Sequence, residues 1–132
     1  LNVLKEVMKE RVEYVSVLQN YAILLNSFGD YKESLEVSKK RIDKNVIGEG
    51  VYFLVAHNLL QLGKFAESRI YFEKISKNRL REFDVGVNYA VSLYQTGDGE
   101  NALRLLESIK VINNQQMRMK GKFISYLRGA RI

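Results

Sequence analysis

Few residues in this chain could do covalent or acid–base chemistry, and they are scattered. His57 is the only histidine, and there is no cysteine. A multi-histidine metal site, a Cys–His nucleophile pair and a disulfide framework therefore cannot be assembled within it. The densest glycine stretch, Gly48-Glu49-Gly50, lacks the Gly-Lys-Ser/Thr that completes a phosphate-cradling loop, and it reads as a joint between elements. Carboxylates alternate with lysines at helical spacing, as in Glu33, Glu36, Lys39 and Lys40, which is the pattern of a solvated helix face. No catalytic residue, cofactor motif or metal set emerges. The expectation is a non-enzymatic chain that acts by holding another molecule.

Charge gives the one asymmetry. The chain has 132 residues and a formal net charge of +6. After Glu107 come Lys110, Arg118, Lys120, Lys122, Arg128 and Arg131 with no acid among them, so the whole excess sits at the end. No apolar run reaches membrane-spanning length. The chain opens on Leu1 and is expected to be a piece of a longer protein, with cytoplasm and periplasm both left open.

The elements that must position these residues are written as a repeat. Gly29, Gly63 and Gly97 stand 34 residues apart, as do Ala22, Ala56 and Ala90, and Leu25, Leu59 and Leu93. Around each glycine the apolar residues fall three and four apart, one face of a helix. The glycine ends the first helix of the unit, because a left-handed residue is cheapest without a Cβ. Asp30 and Asp98 are placed to N-cap the second helix, and Glu33 to complete a capping box with Asp30. A small residue inside each helix (Ala22, Ala56, Ala90, then Ser34, Ser68, Ala102) marks where the two cross. Helices are expected near 1–12, 14–28, 31–44, 49–62, 65–77, 83–96, 99–111 and 115–128. The units are a partial repeat at 1–13, repeats near 14–48, 49–82 and 83–116, and a terminal helix over 117–132. Leu1, Leu4, Val7 and Met8 form the apolar stripe of the first helix. Met119, Phe123, Ile124 and Leu127 form that of the last, which should cover the open edge of the third repeat.

This pattern resembles the tetratricopeptide repeat over roughly residues 14–116, with its small residue in helix A, its Gly-Asp-Tyr-like turn (Gly29-Asp30-Tyr31) and its small residue in helix B. Departures are the missing proline, Leu18 and Gly86 where Tyr52 supplies the early aromatic, and serine at 34 and 68. Pentatricopeptide and Sel1-like repeats have longer periods. The resemblance implies an all-α fold, a right-handed superhelix of antiparallel helix pairs, and a protein or peptide partner held on the concave side by the A helices.

Carried over position by position, the resemblance puts Ile23, His57 and Val91 on that concave side. Phe53 and Val87 lie one turn before, and Asn26, Leu60 and Tyr94 one turn after. Asn20, Leu54 and Asn88 form the adjacent ridge. A solvated face should be polar, so Ile23, Phe53, Leu60, Val87, Val91 and Tyr94 suggest an apolar stripe for a partner. Phe53, Leu60 and Tyr94 are expected to be exposed. Some family members clamp a peptide carboxylate with lysine, arginine and asparagine from successive A helices. Asn88, Arg118 and Lys122 match part of that set, while Phe53 and His57 replace its first pair. The other readings are a nucleic-acid-binding repeat, using the basic end with Tyr126 to stack a base, and a non-catalytic docking domain of a larger enzyme.

Overall fold

The computed structural model describes residues 20–43 and 49–129. The expected helix over 1–12, the start of the next and the last residues, Arg131 among them, lie outside these. Every regular element among the described residues is helical. The elements are α1 (20–27), α2 (Tyr31–Asp43), α3 (Glu49–Gln61), α4 (Phe65–Phe72), a single turn α5 (Lys77–Leu80), α6 (Phe83–Gln95), α7 (Gly99–Ser108) and α8 (Asn114–Gly129).

The 34-residue period reappears in the backbone. Gly29, Gly63 and Gly97 have φ of 83°, 78° and 86°, the left-handed conformation that a side chain would strain. At each, the glycine N–H bonds the carbonyl three residues back (Asn26, Leu60, Tyr94). The following N–H bonds the carbonyl five back (Leu25, Leu59, Leu93) at 2.8–2.9 Å. This pair of bonds satisfies carbonyls that a helix end leaves orphaned, and it recurs at the same place in each of the three units.

The marker residues are buried as expected. Ala22 and Ala56 are 0% exposed and Ala90 3%. Ser34, Ser68 and Ala102 are fully buried opposite them. At the first crossing the Ser34 hydroxyl donates to the Ala22 carbonyl at 2.6 Å, an approach that only a small residue permits. The helices then stack in chain order: α2 on α3, α3 on α4, α4 on α6, α6 on α7 and α7 on α8, with α3 also touching α6. Leu127, a further 34 residues beyond Leu93, is buried with Leu93, Leu106 and Ile109, so the leucine period continues into α8. Phe123 and Ile124 pack on the same cluster, and α8 covers the edge of the third repeat as anticipated.

Three local expectations are corrected. The helix expected over 65–77 stops at Phe72, and a separate turn starts at Lys77. Ser76 is extended there and its hydroxyl accepts from the Arg79 N–H, so a cap competes with helix continuation. The break also lets Ile75 join Phe72 and Val85 in the core. Glu49 and Gly50 form the first turn of α3 rather than a joint, while Gly48 lies outside the described residues. Asp98 heads α7 with its carboxylate near the Asn101 N–H but without a well-formed capping bond; its Oδ2 accepts from the Asn101 side chain at 3.0 Å and from Arg69 at 3.1 Å. These contacts, the Asn101 bond foremost, hold its carboxyl below the ordinary range.

Gly86, where the repeat register calls for a large residue, is explained by close approach. A Cβ there would come within 2.5 Å of the Leu80 carbonyl oxygen and 2.7 Å of the Ile109 side chain. The turn of α5 and the segment after α7 meet on this face, and the Lys110 N–H bonds the Arg81 carbonyl at 2.8 Å.

Candidate partner-binding groove

The residues expected to line one concave stripe divide into two groups. On α3 they are drawn into packing. Phe53 is half-buried, with its ring 6.2 Å from Phe72 and 6.0 Å from His57. Leu60, expected to be exposed, is 7% exposed and belongs to the interior, which corrects that expectation. The reason is position: α3 has helices on both sides of it, so the side chains facing along the stack meet neighbours instead of solvent. Asn20 and Ile23 on α1 are exposed.

His57 is held in a directed relay. The Ser34 hydroxyl gives its proton to the Ala22 carbonyl, so it must accept from the Asn58 amide, at 2.8 Å. Asn58 Oδ1 accepts from Asn26 Nδ2 at 2.8 Å, and the same nitrogen lies 2.9 Å from His57 Nδ1. Each step follows from the one before, and Nδ1 must be an acceptor. With Nδ1 accepting, the proton of the neutral imidazole belongs on Nε2, and the Gln61 amide beside it must then present its oxygen rather than its nitrogen. Burial lowers its pKa below the usual 6.5. Asn58 is fully buried and was not foreseen. Its signal in the sequence was its place between Val55-Ala56 and Leu59, on the core face of α3.

On α6 and α8 the expected residues come together on an open surface. Val87, Val91, Tyr94 and Lys122 line one cleft of about 500 Å³, with Phe123 and Tyr126 on the far wall and Ala90, Leu106 and Leu127 at its base. The cleft exists because α8 leans on α7 and stands away from α6. Tyr94 is half-buried against the core, so only part of its ring faces the cleft. Val91 is 41% exposed and Tyr126 72%. Gln95 supplies the one amide among the lining residues. Asn88 is half-buried and gives its amide to the Asp84 carbonyl at 2.7 Å, within its own helix, and it does not line the cleft. Arg118 and Lys122 are exposed on α8 and line one depression with Tyr126, which Asn88 does not join.

Sequence reasoning placed Phe123 as a covering residue, and considered Tyr126 only as a base-stacking residue. Neither was foreseen as a wall of this cleft. Lys120, read only as part of the basic end, donates to the carbonyls of Glu107 and Ile109 at 3.0 and 2.9 Å and so closes the C-terminus of α7. Among the described residues no group of three metal-ligating side chains assembles, and no helix is long and apolar enough to cross a membrane.

No family model, curated protein or solved structure matches this chain.

Proposed function

We propose that this chain is a protein-interaction module of the tetratricopeptide type: a right-handed solenoid that holds a peptide or partner domain against its A helices. It would serve as an adaptor, assembly factor or chaperone-like holder. The observation that carries this reading is the apolar cleft between α6 and α8, in which Val91 and Tyr126 stay exposed beside a well-packed core. Contiguous apolar surface of this kind is costly to leave in water and usually marks a partner site. The repeat architecture supports the reading, since stacked helix pairs present extended surfaces built for binding.

The experiment is a selection from a random-peptide library displayed on phage, run in parallel on the native chain and on Val91→Asp. Peptides enriched on the native chain and lost on Val91→Asp support the groove. Enrichment indifferent to Val91→Asp and Tyr126→Ala, or no enrichment at all, overturns it.

A further inference from the structure

The α6–α8 cleft is apolar at its base and charged on one side only. Lys122 is the single charged residue lining it. Next to it on α8, Arg118, Gly121, Lys122, Ser125 and Tyr126 line a shallower depression, and Lys122 and Tyr126 belong to both, so the two form one continuous surface. The neighbouring cations on α8 are committed. Arg128 pairs with Glu107 at 3.3 Å, and Lys120 is bound to two carbonyls. Arg118 and Lys122 have no carboxylate partner among the described residues, and both are exposed. Gly121 lies between them, and a Cβ added there would meet nothing within 4 Å, which leaves room for a chain to pass close to α8. The α6 wall offers apolar side chains and the neutral amide of Gln95, with no anion.

We propose that the cleft takes an acidic amphipathic peptide segment of another protein, its large apolar side chains seated between α6 and α8 and its carboxylates on Arg118 and Lys122. This rests on the groove reading above and adds the chemistry of the occupant. The cations are one helical turn apart, about 6 Å along α8, a spacing met by acids at i and i+4 of a helix or at i and i+2 of an extended strand. Charge disfavours a second copy of this chain, which would bring the same cationic end against itself. A single-stranded nucleic acid fits less well, since its backbone needs a tract of cations and its bases a series of aromatic faces, and this surface has two cations and Tyr126.

The test uses the peptides enriched on the native chain, titrated against it and against Lys122→Glu and Arg118→Glu. Both positions are exposed, so both variants should fold with an unchanged thermal melt. The expected result is that enriched peptides carry large apolar residues together with net negative charge. Their affinity should fall about tenfold with each reversal and weaken as salt is raised. Peptides that need Val91 and Tyr126 but show no acidic bias and bind both reversals equally would overturn the acidic occupant and leave the groove standing. If no enriched peptide depends on Val91 or Tyr126, both readings fall. A uridine oligonucleotide that binds more tightly than any enriched peptide, and is released by Lys122→Glu, would assign the surface to nucleic acid and overturn the proposal.

Discussion

The seam between α1 and α3 and the cleft between α6 and α8 use corresponding positions of the repeat and come out opposite. In the first, Asn26 and His57 close the space between neighbouring helices with hydrogen bonds, and Leu60 is buried beside them. In the second, their counterparts 34 residues on from His57 and Leu60, Val91 and Tyr94, face a trough. A buried amide is tolerated only when its bonds are made, so a polar seam demands close approach. Apolar side chains make no such demand, and two helices lined with them can stand apart. The lesson is that the surface available to a partner is set by how each junction is closed, and not by the repeat register.

The serine-bearing junction between them is intermediate. At the place of Asn58 stands Ser92, whose hydroxyl meets Ser68 at 3.2 Å and the Phe65 carbonyl at 3.3 Å. It is reinforced at the surface by Arg69, which donates to Thr96 and Asp98 at 3.1 Å each. That ion pair is part-exposed and contributes little by itself.

The comparison is most directly broken at the base of the open cleft. Leu127→Ala removes the buried anchor of α8, and the expected loss is about 3 kcal/mol in denaturant unfolding. An unchanged midpoint would mean that α8 is not part of the folded unit. At the closed seam, Asn58→Ala leaves Asn26 with His57 as its remaining acceptor and Ser34 without its donor. The expected loss is about 2 kcal/mol, while Asn58→Ser, which imitates the next junction, should lose less. Equal losses would show that hydroxyl and amide seams are interchangeable.

Acid should loosen one region and spare the other. The pKa of His57 is lower folded than its ordinary 6.5, so its contribution is fully present above that value and is lost as pH falls through the folded pKa. Protonation also places a hydrogen on Nδ1, where Asn26 already donates. The native chain should therefore lose more melting temperature between about pH 7 and about pH 5 than His57→Gln does. Parallel pH profiles for the two would remove His57 from the account. The smallest effect is expected on the cleft wall. Tyr126→Ala should change stability by less than about 0.5 kcal/mol, because its ring is mostly in water, yet it should weaken any groove-bound peptide. A large drop in the melt would make Tyr126 a packing residue.

The three turns, the buried alanines and leucines and the helical class were legible in the residues alone. Each depends on local chemistry that repeats with the chain: a left-handed glycine ends a helix wherever it falls, and a small residue every 34 positions must face the same crossing. The end of α4 was legible in principle from Ser76, but a serine cap is a weak local signal until tertiary packing gives Ile75 a place to go. The division of the groove positions was not legible. Leu60 and Val91 look alike in sequence, and only the helices packed around α3 bury the one, while the separation of α6 from α8 leaves the other open. The same holds for Asn58 and His57, whose roles rest on the Asn26 and Ser34 side chains of other helices. Periodicity determines which face a side chain is on. Whether that face meets protein or water depends on distances between helices that no single helix encodes.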